Sequence, residues 1–401
     1  RSPSRGLGDV YKRQVLQQDI QEYINYNLKT DIHKLILKGI SFEGVTVQEV
    51  ANQLICKQKS QKKLPSWFNT KNIYYPSKVS LEQTSSETTA KYKASLISGK
   101  RLIDLTGGFG VDSFYFSSSF NNVVHCEKNT NLSEIAGHNF KQLNKKNITC
   151  SDENGIEYLK KSKEIFDVIY VDPSRRNDVK GKVFLLKDCE PNIPKFIDLL
   201  FNKTQTILIK NSPILDITSA TNELKFVKEI HIVAVNNDVK ELLYLLEKEF
   251  NGKITIKTVN FSKKNTQEFN FIANNKSISN YQEPLDYLYE PNAAILKSGG
   301  FHEITTQLDV YKIHQHSHLY TSKNNIKFPG RSFKILAVLP YDKKKIVKLL
   351  TNKKANITTR NFHKSVAQIR KELKIKDGGD DYLFFTKNIH DKFSCIHCKK
   401  L

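Results

Sequence analysis

The stretch Asp104-Leu105-Thr106-Gly107-Gly108-Phe109-Gly110-Val111-Asp112 restricts what this chain can fold into more than any other. Before it lies Arg101–Leu105, an apolar run that reads as a buried strand, and after it Val111–Ser118 opens a helix. Glycines are needed where a backbone turns sharply, or where a ligand must lie against it without a Cβ in the way. The helix that follows presents backbone N–H groups with no partner inside the helix. A strand feeding a helix through such a turn is the first unit of an open α/β sheet. The plainer alternative is a strand–turn–helix that holds no ligand.

The alternation continues along the chain. Asn122–Cys126, Asn147–Cys150, Phe166–Val171, Gln205–Ile209, Phe226–Val235 and Ile254–Phe261 read as further strands. Amphipathic stretches at Leu132–Leu143, Gly155–Lys161 and Val239–Phe250 read as helices between them. The count gives an α/β domain with seven strands, mainly parallel, over residues 81–273, its last two strands forming an antiparallel edge. Residues 15–80 carry helical periodicity. Residues 274–323 read as a connecting segment with Pro284, Pro291 and a Gly299–Gly300 pair. Residues 324–401 read as a small α+β unit: strand Phe333–Leu339, helix Asp342–Leu350, strand Asn356–Thr359, helix Lys364–Leu373 and strand Tyr382–Phe385. Arg1–Gln14 resembles translated adapter sequence and is set apart from the fold.

Acids recur at the ends of successive strands. Asp104 ends the first, Glu127 the second, and Asp152 lies just past the third. A carboxylate in Glu127's place can accept hydrogen bonds from a ribose diol, and one in Asp152's place can reach an adenine amine. A dinucleotide fits less well. The G-x-G-x-x-G fingerprint needs a third glycine where Ser113 stands, and Asp104 would repel a pyrophosphate while suiting a cationic amino-acid group. S-adenosylmethionine is therefore the expected cofactor, held by Asp104, Thr106, Gly107, Gly108, Phe109, Gly110, Asp112, Glu127 and Asp152. At the end of the fourth strand stand Asp172-Pro173-Ser174-Arg175-Arg176. Ligands of open α/β sheets lie outside the strand carboxyl ends, so Asp172, Pro173 and Arg175 are the candidate catalytic residues. Asp172 could take a hydrogen bond or a proton from an amine, and the arginines suit phosphate, though both could equally be surface residues. No cysteine lies in this motif, which points to direct transfer without a covalent intermediate.

Charge separates the two ends of the chain. The whole carries +22, yet residues 321–401 hold 20 Lys and Arg against 6 Asp and Glu, while residues 101–280 hold 25 against 22. A field concentrated at one end attracts polyanions, and Lys343, Lys344, Lys345, Arg360, Lys364 and Arg370 are the candidate RNA contacts. A solvated lysine-rich face is the plainer reading. The six cysteines are scattered, as in a reducing cytoplasm, and no apolar run is long enough to span a membrane. Cys395-Ile396-His397-Cys398 resembles half a zinc knuckle without a second pair, so no metal is expected. His314, His316 and His318 alternate, which would put them on one face of a strand.

Taken together, six stretches resemble a bacterial family of class I S-adenosylmethionine-dependent methyltransferases with a THUMP-like C-terminal domain. They are Glu82–Ala94, the glycine turn, Val171–Arg176, Tyr287–Gly299, Phe328–Phe333 and Lys376–Gly379. The resemblance covers nearly the whole chain after residue 14. It implies a Rossmann-like catalytic domain, a short ferredoxin-like segment and a terminal THUMP-like module. It also implies an RNA substrate, a base in tRNA or rRNA; no obligate protein partner is inferred from the sequence. One departure stands out: base-amino methyltransferases of this kind carry Pro and an aromatic residue where Ser174 and Arg175 stand here. Arg175 could stack on a base in place of the aromatic. The alternatives are an RNA-binding protein with a vestigial cofactor pocket, or a methyltransferase for a small molecule or protein.

Overall fold

Strands and helices alternate from residue 99 to residue 211 because apolar β-branched runs are separated by helices with polar caps. The computed structural model describes residues 14–175, 185–275 and 277–401, with only the backbone of Lys38 and Arg175. Arg1–Arg13 and Arg176 lie outside the described residues. Strands β1 (Gly99–Asp104), β2 (Phe120–Cys126), β3 (Ile148–Ser151), β4 (Val168–Val171) and β7 (Thr206–Asn211) form the parallel sheet. A two-stranded ribbon, β5 (Ser174–Arg175) with β6 (Cys189–Glu190), intervenes in sequence. Asn129 caps the helix Thr130–Gln142 by accepting from the Leu132 N–H, and Asn154 caps Gly155–Lys161 in the same way. Ahead of β1 the chain is helical, and Thr46 and Glu49 close a capping box on the helix Val47–Lys63.

The sheet holds more strands than the seven expected. β8 (Val227–Val235), β9 (Asp238–Glu247), β10 (Thr255–Phe261) and β11 (Thr266–Ile272) extend it to nine, in the order β11-β10-β8-β9-β7-β4-β1-β2-β3. The helix expected over Val239–Phe250 is strand β9. Asn236 and Asn237 both take positive φ, 51° and 63°, so the chain turns back on itself within two residues. Glu241, Leu242, Leu243 and Tyr244 are buried in succession, the pattern of a strand covered on both faces rather than of an amphipathic helix. The antiparallel edge expected of Phe226–Val235 with Ile254–Phe261 is not formed: β8 and β10 run parallel, and the antiparallel edge pairs β10 with β11, a strand beyond those expected.

The chain divides into two compact units, residues 1–227 with 243–251 and residues 228–242 with 252–401. This division falls inside the segment 81–273 that the sequence suggests as one domain. The second unit contains a seven-stranded sheet ordered β13-β14-β12-β15-β18-β17-β16. Its strands are β12 (Tyr287–Pro291), β13 (Tyr311–Lys312), β14 (Tyr320–Ser322), β15 (Gly330–Pro340), β16 (Asn356–Thr359), β17 (Asp381–Lys387) and β18 (Phe393–Lys400). Its helices Lys343–Lys348 and Val366–Leu373 fall where the sequence places them. Side chains alternate across the sheet. Phe385 and Cys395 join the cluster around Ile346, Ile369 and Leu373, while Phe384 and Cys398 join the one around Leu288 and Phe333. Cys395 and Cys398 thus enter different apolar clusters, and burial raises both thiols above their ordinary range. The half-knuckle reading has no geometric support, and among the described residues no cluster of His, Cys, Asp or Glu could hold a metal.

Candidate active site

Register brings the predicted acids into one neighbourhood in the first unit. In the parallel sheet Asp104 lies opposite His125 on β2 and Tyr170 on β4. Behind the glycine turn, the Ser113 hydroxyl lies 2.6 Å from Asp104 Oδ2 and 3.0 Å from His125 Nδ1, joining the acid to the imidazole. Burial lifts the Asp104 carboxyl to about 7, against the pull of Ser113 and the Thr106 N–H, and pushes His125 down to about 4. Two proton arrangements satisfy this chain. Ser113 can donate to an ionised Asp104 and accept from Nδ1–H of His125, or a protonated Asp104 can donate to Ser113, which then donates to Nδ1.

The glycines answer to this packing. A Cβ on Gly107 would lie 2.1 Å from the His125 ring. One on Gly110, at φ 86°, would lie 2.4 Å from the Phe140 ring. Gly108 differs: its Cβ would meet only the Thr106 carbonyl, at 3.9 Å. Phe109 is buried against Trp67. Glu127 is tied to the turn, accepting the Gly108 N–H at 2.9 Å through Oε2 and the Asn129 N–H at 2.8 Å through Oε1. Each carboxylate oxygen has two lone pairs, so Glu127 keeps acceptor capacity for a diol. Asp152 is exposed just past β3. A cavity of about 880 Å³ runs along Thr130–Gln142 and β3, lined by Tyr74, Phe140, Cys150 and Asp152 among others. Of the predicted site residues only Asp152 borders it, and Phe140, which packs on Gly110, forms part of its wall.

Asp112 is committed to protein partners. Its Oδ2 accepts from Ser85 Oγ at 2.9 Å and from the Tyr170 hydroxyl at 2.8 Å. The ammonium of Lys93, fully buried, lies 3.2 Å from Oδ1, an ion pair without hydrogen-bond alignment. Burial alone would raise the Asp112 carboxyl, but Lys93, Lys210, Tyr170 and Ser85 outweigh it and hold the group below its ordinary value. Thr106 also faces inward. Its N–H donates to Asp104 Oδ1 at 3.0 Å, and its hydroxyl oxygen accepts the Asp172 N–H at 2.7 Å. The turn after β1 and the motif after β4 are thereby pinned together.

Asp172 is one-third exposed and ion-paired with Lys210. Sequence reasoning passed over Lys210, although it directly follows the fifth expected strand. Parallel pairing of Val171 with Ile209 sets Asp172 and Lys210 side by side, which a strand-by-strand alignment would have revealed. Pro173 is buried, and Arg175 is described by its backbone alone, in β5.

In the second unit most predicted RNA contacts already have acidic partners. Lys343 and Lys364 both pair with Glu372, and Arg370 with Asp377. Arg360 donates to Glu290 Oε1 at 2.8 Å, while Arg331 holds the other oxygen. Lys344 and Lys345 are exposed at the start of their helix.

The α/β sheet is that of a class I methyltransferase fold, and the C-terminal part of the chain is a THUMP-like domain. Residues 330–400 match the THUMP domain-like family, and residues 287–329 match a ferredoxin-like domain. The chain is similar throughout to the crystal structure of a candidate methyltransferase from Porphyromonas gingivalis W83, with 29% identity over 97% of this chain and 98% of that one, at a TM-score of 0.85. It is also 32% identical over 93 residues to an uncharacterized RNA methyltransferase of Mycoplasma mobile, a match covering 23% of this chain. The chain spans 25% of that relative's length.

Proposed function

We propose that the chain is an S-adenosylmethionine-dependent methyltransferase acting on RNA, a base in tRNA or rRNA, in the cytoplasm. The observation that carries this reading is the junction at the strand ends: Glu127 on the Gly108 N–H, and Thr106 on the Asp172 N–H. One side of that junction suits a nucleoside cofactor and the other an acceptor. The residues fit the cofactor. Gly108 leaves its face open, Glu127 retains lone pairs for a diol, and Asp152 is free to meet an adenine amine. Asp104 and Asp112 would act indirectly, by shaping the turn. When bound, the cofactor supplies an electrophilic methyl group. Asp172, held by Lys210 and by its own backbone, would orient a nucleophilic nitrogen and accept its proton. The RNA substrate is supported by the relative in Mycoplasma mobile, the THUMP-like domain and the basic C-terminal region. No described helix is long and apolar enough to cross a membrane.

Calorimetry tests the cofactor. S-adenosylhomocysteine should bind, and Glu127→Ala should weaken it by about 1.5–3 kcal/mol through loss of charge-assisted contacts. Binding of NADH in its place would overturn the reading. Mass spectrometry of nucleosides from cells with and without the gene would identify the modified base.

A further inference from the structure

In the second unit the loop between β13 and β14 gathers cations that have little acid to balance them. Lys312 is 1% exposed, yet its ammonium donates to the Gln315 carbonyl at 2.7 Å and pairs with no carboxylate among the described residues. Burying an ammonium without a counter-ion is costly, so such a group persists where something else repays it. Burial lowers its titration to about 8.

Around it stand aromatic and imidazole rings. Lys312 Nζ lies 5.6 Å from the centre of the Phe301 ring, and His318 stacks on the same ring at 3.7 Å and 25°. His318 sits at φ 51°, in the left-handed region that a bulky residue rarely adopts. Its Nδ1 is buried and without a hydrogen-bond partner among the described residues. Burial first, then the charges of Lys312, Arg360, His316 and His302, push the His318 imidazole down to about 4. Arg360 adds a second unpartnered buried atom, its Nε, while its Nη2 reaches Glu290. Two acids of this region are engaged elsewhere, Glu290 with Arg331 and Arg360 and Asp391 with Lys387 and His314, while Glu303 follows His302 in the chain. His302, His316 and part of Arg360 are exposed, so the cluster opens to solvent.

We propose that Lys312, His318 and Arg360, with His302 and His316 at the rim, form a binding site for a phosphate group. Buried Lys312 and forked Arg360 supply charge, and the free Nδ1 of His318 supplies a further donor once an anion is present. The sequence singled out His314, His316 and His318 as one face of a strand. They lie instead on the β13–β14 loop, where His314 is held by Asp391 and Asn361 and His318 turns to Phe301. The phosphate could belong to an RNA chain or be free in solution. The inference stands on the second unit alone and does not depend on methyl transfer in the first.

The test uses the full chain at constant ionic strength. Thermal unfolding and calorimetry are followed with inorganic phosphate, and with one oligoribonucleotide carrying either a 5′-phosphate or a 5′-hydroxyl. The unfolding midpoint should rise with at least one phosphate probe. Lys312→Met should weaken that binding by about tenfold or more, since a buried charge-assisted contact is lost. The same variant should raise the midpoint without ligand, because it removes an unbalanced buried charge. His318→Asn provides a second variant that tolerates φ 51° and removes the imidazole. It too should lose the response, which covers the case in which Lys312→Met does not fold. A response to inorganic phosphate points to a free ligand, and one confined to the 5′-phosphorylated oligonucleotide points to RNA; both support the site. No response of the unmodified protein to either probe overturns it, as does an undiminished response in the variants that fold.

Discussion

Replacing Lys93 with methionine should cost more stability than any exposed substitution in the first unit. The side chain is fully buried and its ammonium faces Asp112, which also accepts from Ser85 and Tyr170. Methionine keeps the length of the chain and removes the charge, so the loss reports electrostatics more than volume. Removing one partner of a buried pair typically costs about 3–5 kcal/mol, because the other charge is left buried and uncompensated. Lys210 also acts on Asp112, which places the expectation near the lower end, about 3 kcal/mol. Against a typical total of about 5–15 kcal/mol, that shift is plain in urea denaturation. The pH dependence gives a second reading. In the unmodified protein the Asp112 carboxyl is depressed, so its contribution is present above its unfolded value, 3.8, and lost as pH falls through the folded value. Without Lys93 burial dominates and the group is raised, so stability falls as pH climbs above about 4. The gap between the two proteins should therefore widen from about pH 4 upward. Adding Asp112→Asn to Lys93→Met should recover much of the loss at neutral pH. A loss below about 1 kcal/mol with no pH-dependent gap would refute the reasoning.

Three further expectations follow from the same geometry. Asp172→Asn should lower methyl transfer by about a hundredfold or more while leaving S-adenosylhomocysteine affinity nearly unchanged, as measured by single-turnover assay and calorimetry; full activity would move the acceptor-side role elsewhere. Gly107→Ala places a Cβ 2.1 Å from the His125 ring and should cost about 1–3 kcal/mol in urea unfolding, whether or not cofactor is present. Lys344→Glu with Lys345→Glu should flatten the salt dependence of RNA affinity by about 0.7–0.9 per lost phosphate contact, without change in the unfolding midpoint, and an unaltered slope would remove these lysines from the RNA contact.

The parts of the fold legible in the sequence were those with one dominant local signal. The glycine turn, the strand-end acids and the helices Lys343–Lys348 and Val366–Leu373 each carry such a signal. Strand β9 was misread because ELLYLLE has apolar residues enough for a buried strand or a helix, and the deciding evidence is the two-residue turn at Asn236–Asn237. Strand β18 was passed over because Cys395 and Cys398 drew attention as ligands, whereas they enter separate cores. The partners of Asp172 and Asp112 were hidden for another reason. Lys210 and Lys93 lie far from them in sequence, and only strand register and helix packing bring the charges together. Lysines that look solvated in a one-dimensional charge count can be the counter-ions of buried acids.

The glycine turn shows how one motif satisfies two demands. Gly107 and Gly110 are fixed by the rings of His125 and Phe140, so the protein's own packing excludes a side chain at both positions. Of the three, Gly108 alone presents an open face, and its N–H is held by Glu127, the residue proposed to meet a ribose. Thr106, beside them, spends its hydroxyl on the Asp172 backbone rather than on a ligand. The spacing that reads as a cofactor signature is thus mostly the spacing needed to seat the turn over the Asp104–Ser113–His125 chain. On the proposed reading, ligand contact would be concentrated in Gly108, Glu127 and Asp152. This division explains why a change at Gly107 should register as stability and a change at Glu127 as affinity. An acid inside the motif, Asp112, is likewise engaged by Ser85, Tyr170 and Lys93, so a change there should register first as stability.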